Sequence, residues 1–103
     1  MRGRRLRLGK LKPLEFDWDK HNQDKNWEKH RVHFQEYEQV FFNQPLKIYF
    51  DISHSQKENR FVVLGITNEG RKLQIVFTIR NQKIRIISAR NQGKKERRVY
   101  EQK

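Results

Sequence analysis

The chain has 103 residues, 34% of them apolar, and its 24 Lys and Arg against 12 Asp and Glu give a formal charge of +12. That length supports one compact domain and not two, and the lack of cysteine excludes disulfides, thiolate metal sites and a Cys nucleophile. There is no bilayer-length apolar run and no apolar leader, so the expected location is the cytoplasm, where a field this basic attracts nucleic acid first and an acidic protein second.

The charge is uneven: residues 1–12 carry +6, residues 13–58 carry −3 and residues 59–103 carry +9. The opening segment MRGRRLRLGKLKP reads as a flexible basic arm, and residues 1–15 are set apart from a domain over 16–103. FDWDKHNQDKNWEKH then reads as a polar surface helix with Asp17 as N-cap and a narrow buried edge at Trp18 and Trp27. FQEYEQVFFN spaces Phe34, Tyr37, Val40 and Phe41 as the inward face of a second helix, which Pro45 ends.

LKIYFDI is a short β-rich run, and SHSQKEN is a polar loop. RFVVLGIT, the turn NEG and KLQIVFTIR form a hairpin, and NQ leads into a further strand, KIRIISA. Alternation turns Leu73, Ile75, Phe77 and Ile79 toward the helices, with Phe61, Val63, Ile84 and Ile86. Arg60, Arg80 and Arg85 then converge on the opposite face, whereas Arg90 falls past the expected strand end. NQGKKERRVYEQK closes the chain as a short helix with Arg97 and Tyr100 on one side. The expected fold is α+β, with two N-terminal helices on a mainly antiparallel four-stranded sheet and a short C-terminal helix.

From Phe16 onward the ordered set FDWDKHNQDKNWEKH, VHFQEYEQVF, RFVVLGIT, GRKLQIVFTIR, RIISAR and ERRVY resembles the BrnT family, toxins of BrnT/BrnA type II toxin-antitoxin modules. The resemblance departs at Arg31, where the family commonly has glycine, and residues 1–15 have no counterpart in it. It implies a RelE-like fold, a metal-independent ribonuclease that halts translation, and a BrnA-type antitoxin that neutralises the toxin, with operator DNA met only through that antitoxin. It also allows a homodimer within the complex. No cofactor and no membrane partner are expected.

RNA is cut without metal when its own 2′-OH attacks the adjacent phosphate, which calls for a base, an acid and cations. Arginine meets phosphate bidentately and stays charged. Arg80 and Arg85 are therefore expected in the catalytic centre, with Arg60, Arg90, Arg97 and Lys29 on RNA phosphates. His30, in the matched NWEKH, is a candidate acid or base, and Tyr100 a candidate proton donor or base-stacking group. Each has a plainer reading: solvated surface for the cations, a helix-end cap for His30, core closure for Tyr100. A zinc site from His21, His30, His33 and His54 lacks thiolates and HExxH spacing. The rival function is a non-catalytic nucleic-acid-binding or operon-regulating module, because charge alone specifies only a polyanion.

Overall fold

In the computed structural model, which describes residues 5–6, 15–17, 19–51 and 58–102, the alternating C-terminal half forms three consecutive strands, β3 (Arg60–Ile66), β4 (Lys72–Arg80) and β5 (Lys83–Asn91). The β4–β5 turn holds Asn81 and Gln82 at φ 52° and 64°, the left-handed pair that matches the twist of a two-residue hairpin. β2 (Lys47–Phe50) pairs with β3, which completes the expected four-stranded antiparallel sheet. Beyond it, β1 (Arg5–Leu6) pairs with β2, for a strand order β1-β2-β3-β4-β5. Two residues of the expected arm are thus paired; residues 1–4 and 7–14, and most of the SHSQKEN loop, lie outside the described residues.

The first helix, α1 (Lys20–His30), is capped by Asp19 and not by Asp17: the Asn22 N–H donates to Asp19 Oδ1 at 3.2 Å. Asp17 is occupied elsewhere. Its N–H donates to the Ile84 carbonyl at 2.8 Å, and the Ile84 N–H donates to the Glu15 carbonyl at 2.7 Å, so residues 15–17 are held extended along β5 and the helix starts after them. What docks α1 is also polar. Asn26 is fully buried and Trp27 is 38% exposed, and Trp18 lies outside the described residues. Asn22 Nδ2 donates to the Ile86 carbonyl, Lys25 Nζ to the Ile87 carbonyl, and Asn26 Oδ1 accepts from the Ala89 N–H. A sheet edge exposes such groups, and α1 satisfies them.

α1 stops at Arg31, in the left-handed region at φ 54°, ψ 42°. That conformation costs an L-residue about 1–2 kcal/mol and is why glycine ends helices. The Arg31 guanidinium lies 5.0 Å from the centre of the Trp27 ring, a cation–π contact that offsets part of the cost.

The second helix, α2 (Phe34–Phe42), buries Tyr37, Val40 and Phe41 against Ile48, Val63, Leu73, Ile75, Phe77, Ile84, Ile86 and Ala89. Phe34 and Ile79, both expected inside, are 37% and 38% exposed, because each sits at the end of its element where the facing layer stops. Gly65 lets α2 approach β3: a Cβ there would lie 2.4 Å from Val40 Cγ1.

The third helix, α3 (Lys94–Glu101), packs on the face of the sheet opposite α2, so the sheet lies between helices and is not simply backed by them. Leu64 and Val62, which alternation turns away from α2, are buried on this second face. Lys47 is buried there too, and its Nζ donates to the Val99 carbonyl at 2.7 Å and to the Gln102 carbonyl. A cation on the last carbonyls of a helix satisfies acceptors that the helix itself leaves open.

One irregularity decides which side chains share the second face. Val76 pairs with Ser88 and Phe77 with Ile86, so Ile87 is an extra residue, a β-bulge. Strict alternation from Ile84 and Ile86 would carry Ser88 and Arg90 to the core face; the bulge returns them to the other. β5 also runs on to Asn91, so Arg90 lies within the strand, opposite Gln74.

Candidate functional site

The site is built by register. Arg60 pairs with Thr78 and Thr78 with Arg85, so these three side chains form a row across β3, β4 and β5. Strands lie about 4.8 Å apart, which sets the two arginine backbones roughly 10 Å from each other. Arg80 stands two residues beyond Thr78, on the same face and opposite Lys83. The sequence placed Arg60, Arg80 and Arg85 together, and the described geometry does the same. Arg90 lies on that face as well, about 13 Å along β5 from Arg85 at strand rise.

Each arginine meets a carboxylate of the chain itself. Arg85 Nη2 lies 2.6 Å from Asp19 Oδ2. Arg80 Nη2 lies 3.3 Å from Glu58 Oε2, and Arg60 Nη2 lies 3.8 Å from Glu58 Oε1. Arg90 donates to Glu96 Oε1 at 3.1 Å and to Gln74 Oε1 at 3.0 Å. The Asn22 N–H, aided by the Arg85 charge, holds the Asp19 carboxyl below its ordinary range. The Gly93 N–H and, after it, Arg90 do the same for Glu96. The arginines remain open to solvent: the Arg80 side chain is 50% exposed and that of Arg60 36%.

Thr78 gives the row its rigidity. Buried between the arginines, it donates its hydroxyl to the Asn59 carbonyl at 2.6 Å, which fixes the chain just where Glu58 leaves for Arg60 and Arg80.

The other sequence candidates stand apart from this row. His30 and Lys29 are exposed at the C-terminus of α1, whose 11 residues put them about 16 Å from the Asp19 end that touches Arg85. There Arg71 gathers the chain, donating to the His30 and Arg31 carbonyls, to Glu36 and to Asn91. Tyr100 is buried, and its hydroxyl donates to the Pro45 carbonyl at 2.7 Å; burial pushes its pKa up. Arg97 is exposed on α3 with Lys94, Lys95 and Arg98, which continues the basic surface past Arg90. His54 lies outside the described residues, and among those described no three His, Asp or Glu side chains gather as metal ligands. No described helix is long and apolar enough to cross a membrane.

Sequence reasoning passed over the three carboxylates and the bulge. Glu58 falls in SHSQKEN, which reads as a polar loop, although an acid two positions before Arg60 has the parity of the arginine face. The adjacent pair Ile86–Ile87, which breaks alternation, was the signal for the bulge.

A family model described as "Ribonuclease toxin, BrnT, of type II toxin-antitoxin system" matches residues 18–96. That span contains Asp19, Glu58, Arg60, Arg80, Arg85, Arg90 and Glu96 and leaves out β1, Arg97 and Tyr100. No curated protein matches the chain.

Proposed function

The chain belongs to the BrnT family of ribonuclease toxins of type II toxin-antitoxin systems, and from that premise we propose that its second sheet face binds RNA and cuts it without a metal ion, so inhibiting translation. The observation that carries this reading is the cross-strand row Arg60–Thr78–Arg85 with Arg80 beside it. Guanidinium groups at this spacing reach the non-bridging oxygens of one phosphate and its neighbour, where negative charge grows during transfer. Arg80 and Arg85 hold the scissile phosphate, while Arg60, Arg90 and, on α3, Arg97 hold flanking ones. Lys29 and His30 contact RNA at the far end of α1, and Tyr100 serves the docking of α3.

Membership in a toxin-antitoxin family implies an antitoxin. We assign the cognate partner to the BrnA type, which covers the basic face with its acids and carries the complex to operator DNA. A RelE-like ancestry, a cytoplasmic location and a toxin homodimer within that complex belong to the same reading.

The remoteness of His30 and the burial of Tyr100 favour one rival, a module that binds RNA without cutting it. Incubation of purified protein with RNA in EDTA separates the two. Cleavage by the parent and loss of at least about 100-fold in Arg80→Ala and Arg85→Ala is the expected result. Tight, salt-sensitive binding without cleavage establishes the module instead.

A further inference from the structure

The arginine row needs a proton acceptor close to it, and the residues expected to supply one are elsewhere. Asp19 and Glu58 both touch the row. Asp19 is committed on both oxygens, Oδ1 to the Asn22 N–H and Oδ2 to Arg85, and it holds the first turn of α1 in place. Among the described residues, Glu58 caps no helix. Its two oxygens face two different site arginines, Oε1 toward Arg60 and Oε2 toward Arg80, and its side chain is one-third exposed. It leaves the backbone next to Asn59, whose carbonyl Thr78 pins from within the row.

We propose that Glu58 is the general base of the ribonuclease, placed by Asn59 and Thr78 where the ribose 2′-OH beside an arginine-bound phosphate comes to rest. This rests on the reading of the face as an RNA-cleaving site. In the step itself, the 2′-OH proton passes to the Glu58 carboxylate as the 2′-oxygen bonds to phosphorus. The bond from phosphorus to the 5′-oxygen breaks, and the leaving oxygen takes a proton from solvent. The products are a 2′,3′-cyclic phosphate and a 5′-hydroxyl, and Glu58 later returns its proton to water. RNA phosphate takes the arginines from Glu58 on binding, which frees the carboxylate as a base at the moment substrate arrives.

The experiment compares single-turnover cleavage of an RNA oligonucleotide by the parent, Glu58→Gln, Glu58→Ala and Arg80→Ala. It is paired with binding of the same sequence in 2′-O-methyl form, which cannot be cut. Loss of a general base lowers the rate by about 10²–10⁴-fold. Glu58→Gln is expected to lose that much while binding 2′-O-methyl RNA at least as tightly as the parent, since a negative charge has left a phosphate site. Added formate is expected to restore part of the rate in Glu58→Ala and none in Arg80→Ala, a rescue that a merely structural role does not give. Cleavage by Glu58→Gln at or above the parental rate overturns the proposal, whatever Arg80→Ala does. It would make Glu58 a placeholder that keeps RNA off the arginines. Full cleavage by Arg80→Ala, or none by the parent, overturns instead the reading beneath it.

Discussion

Asp19 and Arg85 join the start of α1 to the middle of β5: one carboxylate oxygen caps the helix and the other holds the guanidinium at 2.6 Å. The two duties separate by substitution. Asn caps as well as Asp, whereas Ala does not and costs about 1 kcal/mol. Asp19→Asn is therefore expected to fold with nearly the parental stability, and Asp19→Ala to melt lower by several degrees. The Asn variant also releases Arg85, so its binding to 2′-O-methyl RNA should tighten and its salt dependence should steepen by about 0.7 in log–log slope for one added phosphate contact. An unchanged slope would remove Arg85 from the RNA face.

Gly65 is where α2 and β3 come closest. A methyl group 2.4 Å from Val40 Cγ1 has to displace a fully buried side chain, and overpacking of this kind costs about 1–3 kcal/mol. Chemical denaturation of Gly65→Ala should show that loss. Adding Val40→Ala should cost less in the Gly65→Ala background than in the parent, a coupling that a double-mutant cycle measures.

At Arg31 the usual helix ranking inverts. Ala is better than Gly inside a helix by about 1 kcal/mol, yet at φ 54° glycine escapes the left-handed penalty and alanine does not. Both substitutions lose the Trp27 contact equally, so thermal melts of Arg31→Gly and Arg31→Ala isolate the backbone term. Gly is expected to be the more stable by about 1 kcal/mol. Equal melting temperatures would mean that the turn relaxes out of this conformation.

Acid should loosen α3. The Glu96 carboxylate accepts from the Gly93 N–H at 2.9 Å and pairs with Arg90, and its pKa in the folded protein is depressed. A depressed carboxylate contributes stability that is present above the unfolded value, about 4.3, and lost as pH falls through the lower folded one. Urea melts at pH 7 and at pH 3 should show a smaller acid loss in Glu96→Gln than in the parent, by about 1 kcal/mol as for a capping contact. If the loss is as large without Glu96, other carboxylates account for it.

Strands were legible because their apolar side chains alternate over enough residues to leave one reading, as from Leu73 to Phe77 and at Phe61 and Val63. The arginine row followed from the same parity, since a side chain's face is fixed by its neighbours' faces. α1 resisted for the opposite reason: it docks through Asn22, Lys25 and Asn26 onto backbone groups of β5, and main-chain acceptors leave no trace in composition. The misplaced cap has that cause too, because only the pairing of Glu15 and Asp17 with Ile84 delays the helix. Arg90 and Tyr100 depended on an extra strand residue and on which face α3 chose, both settled by packing between segments distant in sequence.

The two borders of the sheet are closed to very different depths. Among the described residues, the cover at β2 is the two-residue pairing of Arg5–Leu6, and so short a ladder opens locally at little cost. At β5 the cover is the extended run Glu15–Asp17 followed by a helix with three side chains tied to the strand backbone. Among the described residues the two borders are thus unlike: opening one means parting β1 from β2, and opening the other means stripping a helix from its moorings. The lighter of the two described covers lies at β2, the border remote from Arg85 and Arg90.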